Sequence, residues 1–106
     1  MKVLYRPEFW ADVEETMVYL AREASERVAL KWQDAVKSGV DKIIGNPGRG
    51  HLRRDLKPEG VRAISVPPFH KHLIFYRWSQ EGNEIEFYRV RHGAMNLPLL
   101  FESGGD

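Results

Sequence analysis

The sequence predicts an α+β fold, with an N-terminal strand followed by an antiparallel helical hairpin packed on a mainly antiparallel β-sheet. Three observations carry this. Apolar residues recur every three or four positions between Phe9 and Ile43, the period of a one-sided helix. Beyond Gly60 the period falls to two, that of a strand with unlike faces. The links between the later segments are short, so neighbouring strands should run antiparallel. At 106 residues and 42% apolar content, residues 1–106 are expected to form a single domain around one modest core.

Residues 2–6 read as a short strand, and Pro7 suits the first turn of a helix, where its missing N–H is no loss. Phe9, Val13, Met17 and Leu20 line one face of that helix, against polar Asp12, Glu14, Glu15 and Arg22. Ala24-Ser25-Glu26 separates it from a second helix, with Ser25 as the cap. The buried stripe of the second helix is Val28, Trp32, Ala35, Val36, Val40 and Ile43, and Gly39 allows close helix contact. Asn46-Pro47-Gly48 ends it. Two helices joined so tightly form a hairpin.

Residues 48–60 read as a basic loop, from their glycines, prolines and arginines. Strands follow at about 61–66, 72–78 and 84–91, interrupted by Pro67-Pro68 and by the turn Glu81-Gly82-Asn83. Alternation puts Leu73, Phe75 and Arg77 opposite Ile74, Tyr76 and Trp78. It puts Ile85, Phe87, Arg89 and Arg91 opposite Glu86, Tyr88 and Val90. The tail from Met95 is apolar as far as Phe101, so residues 95–106 are expected to pack back or to fray.

Composition excludes several classes of function. There is no cysteine, hence no disulfide framework, thiolate nucleophile or thiolate metal site. No apolar run approaches the length of a membrane span, and charge near the N-terminus comes too early for a signal-peptide core. A cytoplasmic protein with no membrane contact is expected by elimination. Residues 49–92 hold nine Lys/Arg against five Asp/Glu and all four histidines, whereas residues 1–46 hold seven against eight. The basic part suits a nucleic acid or an acidic protein, and equally an ordinary solvated surface.

His70 and His72 share a strand face, but no cysteine supports them and no His-Glu-x-x-His is present, so neither a metal nor a cofactor is expected. Gly45–Gly50 lacks the Gly-Lys-Ser/Thr ending of a phosphate loop and follows a helix. The remaining chemistry lies in Arg62, Arg77, Arg89, Arg91 and His92. Arginines can hold a scissile phosphate while a histidine moves a proton, which would make a metal-free RNA-cleaving site. The same residues also serve as strand ion pairs, with Glu84 and Glu86 as partners and His92 as a turn residue. Composition leaves both readings open.

Four segments, in this order and spacing, resemble the RelE/ParE toxin superfamily. They are Asn46-Pro47-Gly48, Leu56-Lys57-Pro58-Glu59-Gly60-Val61-Arg62, Ile74-Phe75-Tyr76-Arg77 and Arg89-Val90-Arg91-His92-Gly93-Ala94. The resemblance covers nearly the whole chain and implies the fold already read from its periodicity. It also implies a toxin of a type II toxin–antitoxin module, with roles in growth inhibition and plasmid stabilisation, neutralised by a cognate ParD-like antitoxin that folds across its helices and sheet.

His92-Gly93-Ala94 is similar to the ParE branch, whose members poison DNA gyrase and are not enzymes. On that reading Arg62, Arg77, Arg89, Arg91 and His92 are target-binding candidates. The RelE branch cuts messenger RNA on the ribosome, which would make Arg62, Arg77 and His92 catalytic. Glycine follows His92 where some nuclease members have tyrosine. Met95 and Asn96 stand where the ParE pattern has arginine and aspartate. That departure also admits a weakly toxic or inactive antitoxin-binding protein.

Overall fold

A computed structural model of the chain describes residues 1–93. Strand β1 (Lys2–Tyr5) leads into helix α1 (Pro7–Glu23) through Arg6 in extended conformation, and Pro7 takes the first helical turn. Helix α2 (Glu26–Gly45) starts at Ser25, whose hydroxyl oxygen accepts the Val28 N–H at 3.1 Å. The break between the helices is thus capped as the sequence predicts. Strands β2 (His51–Leu52), β3 (Val61–Val66), β4 (Phe69–Ser79) and β5 (Glu84–His92) complete one sheet in the order β1-β5-β4-β3-β2. Strand β1 runs parallel to β5, and the other pairs are antiparallel.

Three boundaries differ from the sequence reading. Residues 48–60 are not all loop: Pro47–Arg49 forms a 3-10 turn, and β2 adds two residues to the sheet edge beside Ala63 and Arg62. So short a strand carries no periodicity to read. Strand β4 begins at Phe69 because Pro67-Pro68 forms the tight turn itself, with Val66 paired to Phe69. Strand β1 stops at Tyr5, since Arg6 already turns toward the helix.

The hairpin covers one sheet face. Phe9, Trp32, Val36, Val40 and Ile43 from the helices pack on Ile74, Tyr76, Ile85, Phe87 and Val90. Gly39 serves the contact between helix and sheet rather than one between helices, because a Cβ there would lie 2.9 Å from Ile74 Cδ1. The opposite face holds a smaller cluster of Leu56, Val61, Ala63, Phe75 and Tyr88.

The predicted faces of β4 are observed, whereas those of β5 need correction. A bulge sets Phe75 opposite Arg89 and Tyr76 opposite Phe87, so Tyr88 is passed over and the alternation changes phase. Val90 therefore joins Ile85 and Phe87 under the helices, although simple parity separates them.

Gly45, the last residue of α2, has open space where a Cβ would sit and no left-handed backbone angle. Gly45→Ala should therefore stabilise the chain by about 0.5–1 kcal/mol, mainly by restricting the unfolded state. Equilibrium urea unfolding should show a higher midpoint with an unchanged slope.

Candidate functional site: the strand arginines and the β5 edge

The five residues singled out by sequence do not converge: Arg62 and Arg77 lie toward one end of the sheet, Arg91 and His92 toward the other, and Arg89 between them. Arg62 and Arg77 lie where β3 begins and β4 ends. Arg62 shares a register position with Tyr76, on the helix side, and its Nη1 donates to the carbonyls of Gly48 and Gly50 at 3.2 and 2.9 Å. The buried Tyr76 hydroxyl completes this anchor by accepting the Gly50 N–H at 2.9 Å and donating to the Pro47 carbonyl at 2.7 Å. Burial raises the Tyr76 phenol above its ordinary pKa, so it stays protonated and able to donate.

Arg77 pairs with Val61 and so projects from the other face. Its Nε donates to the Glu59 carbonyl at 2.8 Å, while the side chain passes over Gly60, whose φ of +94° suits glycine. Arg77 is exposed, as are Arg49, Arg54 and Lys57 in the adjoining turns. This end of the sheet is cationic and open to solvent. Arg53 differs from these neighbours, because it is clamped at 2.8 and 2.7 Å by both oxygens of Asp55.

Arg89 and Arg91 converge on Asp12 of α1, which is 1% exposed. Arg89 donates from Nε and Nη2 to the two carboxylate oxygens at 2.8 and 2.9 Å, and Arg91 Nη1 adds a bond of 3.0 Å. The Val90 backbone N–H donates to the same carboxylate at 3.1 Å. The need for this acceptor follows from topology. Strand β1 pairs with β5 only as far as Phe87, where the chain turns into α1. Past that point the β5 edge lacks a neighbouring strand, and a helix carboxylate takes the place of a strand carbonyl. The bond to Asp12 strengthens the hold of Arg89 on its proton.

The sequence reading put Asp12 on the polar face of α1, and the structure buries it. Its spacing was the missed signal: Asp12 follows Phe9 by three and precedes Val13, which places it on the edge of the apolar stripe. The carboxylates expected for the strand arginines also differ. Glu86 pairs with Arg6, at 3.3 Å, while Arg89 and Arg91 take Asp12, with Glu15 at 3.5 Å from Arg91.

His92 lies beside Arg91 and is paired in register with His72, the two rings 5.5 Å apart. Fully buried Trp32 donates its indole N–H to His72 Nδ1 at 3.3 Å. Burial, and then His92, lower the His72 pKa from its ordinary value. Arg77 lies five positions along β4 from His72, roughly 17 Å of strand. Arg62, Arg77 and His92 are therefore not brought to one point. Among the described residues no cluster of three or more His, Cys, Asp or Glu is placed to hold a metal ion, and no helix is long and apolar enough to cross a membrane. Met95 and Asn96, with the rest of the tail, lie outside the described residues.

Known proteins share this arrangement of strands and helices. The family described as the ParE toxin of the type II toxin–antitoxin system, parDE, matches residues 3–97. The chain is similar in structure to a protein of the chromosomal ParDE system from P. aeruginosa, with a TM-score of 0.69 and 20% identity, over 87% of this chain and 95% of that one. It is also similar to a YoeB/ParE toxin from Agrobacterium tumefaciens, with a TM-score of 0.60 and 17% identity, over 87% of this chain and 98% of that one. At these identities the two structures speak for the fold. No protein of curated function matches the sequence at a significant level.

Proposed function

Because this chain belongs to the ParE toxins of type II toxin–antitoxin systems, we propose that it arrests bacterial growth by binding and poisoning DNA gyrase, and that a ParD-like antitoxin neutralises it by direct binding. In this reading it is a cytoplasmic inhibitor without cofactor or metal, encoded in a module that stabilises its plasmid or chromosomal locus. Residues 1–106 act as one domain.

The observation that carries a binding role over a cleaving one is the separation of the nuclease candidates. Arg62 is engaged with Gly48 and Gly50 on the helix side, Arg77 projects from the other face, and His92 lies at the far end of β4 and β5. A phosphoryl-transfer site needs its proton shuttle and its charge-stabilising groups within hydrogen-bond reach of one phosphate.

Of the five candidates, Arg77 is the one best placed to meet gyrase directly, with His92 at the opposite end of the sheet. Arg62, Arg89 and Arg91 support the surface by holding the loop and the β5 edge. Arg77→Ala should then lower toxicity about tenfold or more while leaving the unfolding midpoint nearly unchanged, since truncating an arginine that anchors an interface costs about 2 kcal/mol or more.

The purified chain should be assayed against gyrase supercoiling, in parallel with ribosomes translating a defined message. Loss of supercoiling with accumulation of cleaved DNA and intact message supports the proposal. Message cut only on ribosomes would replace it with the RelE-type activity. Inertness in both assays, with antitoxin binding retained, would leave an antitoxin-binding protein of weak or absent toxicity.

A further inference from the structure

We propose that Trp32, His72 and His92 form an acid-sensitive clasp on the end of β4 and β5, which loosens when His72 takes up a second proton. In the neutral ring Nδ1 accepts from Trp32, so the single proton of His72 sits on Nε2. Protonating Nδ1 would set two donors face to face. The indole N–H belongs to a ring with no solvent exposure and has no water to turn to. His72 thus cannot become cationic and keep this contact.

The surroundings offer the new charge little compensation. Across the strand pair stand His92, its register partner, and Arg91. On β4 itself the neighbours are His70 and Lys71, which line a cavity of about 390 Å³ together with His72 and His92. From α1, Glu14, Glu15 and Arg22 line a second cavity of about 730 Å³ that also reaches His72. Of its two carboxylates, Glu15 is 3.5 Å from Arg91. These cavities give protons two routes to the ring.

The clasp also bears on Gly93. The Gly93 N–H donates to the Lys71 carbonyl at 2.7 Å, one residue beyond the His72–His92 pair. Loosening His72 therefore loosens this end of the β4–β5 pair. The sign follows from linkage. His72 has a folded pKa below its ordinary 6.5, so the unfolded or opened state binds more protons. Stability is intact above about pH 6.5 and is lost as pH falls through that value toward the folded pKa.

Two measurements on the full chain test this. An NMR titration should show His72 titrating below the ordinary histidine value of 6.5. Amide exchange should show the Gly93 protection factor falling about tenfold between pH 7 and pH 5, the size of one buried hydrogen bond. In His72→Asn, whose Oδ1 takes the place of Nδ1 and accepts from Trp32 without titrating, the fall should be within about twofold. An equal fall in both proteins, or a His72 that titrates at or above 6.5, overturns the proposal. If His72→Asn does not fold, Trp32→Phe decides. Without the indole donor, protonating His72 breaks no bond, so Gly93 protection should fall by no more than about twofold between pH 7 and pH 5, and a tenfold fall there overturns the clasp.

Discussion

Asp12→Ala is expected to cost about 3–5 kcal/mol of folding stability, the usual penalty for removing one partner of a buried ion pair. The size follows from what is left behind. The Arg89 and Arg91 side chains are only 15% and 13% exposed, so neither guanidinium can recover full hydration where it lies. Val90 would also keep a buried N–H with no acceptor, a further loss of the same kind. For a domain of this size that is a large part of the total stability.

Asp12→Asn should fall between the two, since its amide oxygen still accepts from Val90 while the charge is gone. Urea unfolding of the three proteins checks this ordering. A loss below about 1 kcal/mol in the alanine variant would mean that the arginines find water or other carboxylates, and that the β5 edge does not depend on α1. Toxicity assays of Arg89 and Arg91 variants need the same control, because those residues carry the Asp12 network as well as any contact with gyrase.

Gly50→Ala is the second large effect expected. A Cβ at this position would lie 2.6 Å from the Tyr76 hydroxyl and 2.9 Å from its ring, with Arg62 Cβ at 3.1 Å. Tyr76 is fully buried in the main core cluster, where side chains are close-packed. Overpacking of this kind costs about 1–3 kcal/mol. Displacing the hydroxyl from both Gly50 and Pro47 adds about 1 kcal/mol for each bond.

Tyr76→Phe alone should lose the two bonds without the clash. In the double variant the hydroxyl is no longer there to be struck, so the combined cost should be less than the sum. Ring and arginine contacts remain, so relief should be partial. Strict additivity in unfolding experiments would show that the loop moves away instead, and that Tyr76 does not fix it.

Much of the architecture could be read before any coordinates, because its signals are local. Pro7 and Ser25 mark helix starts by their own chemistry, and Ile74, Tyr76 and Trp78 declare one strand face by parity alone. The bulge at Tyr88 is different in kind. It depends on how β5 meets β4, and nothing within β5 announces the change of phase that brings Val90 under the helices.

The site was legible as a set of residues and not as a geometry. Arg62, Arg77, Arg89, Arg91 and His92 were chosen because charge on an apolar strand needs a reason. The reasons lay far off in sequence: Asp12 is 77 residues from Arg89, and Gly48 is 14 from Arg62. Asp12 reads as solvent-facing by its polarity, whereas a buried carboxylate is tolerated once it has enough donors. The Tyr76 and Trp32 bonds escaped for the same reason, since a polar group on an aromatic ring does not reveal its partner.

The parallel pairing of β1 with β5 has a consequence for how the protein is made. Lys2 leaves the ribosome well ahead of its sheet partner, Glu84. At ordinary synthesis rates roughly 4–16 s separate the two. Until then β1 has no neighbour in the sheet and Asp12 has neither arginine nor Val90 to bind. A nascent chain halted before Glu84 is thus not a smaller toxin but an open one, with the core face of its hairpin still uncovered by β5.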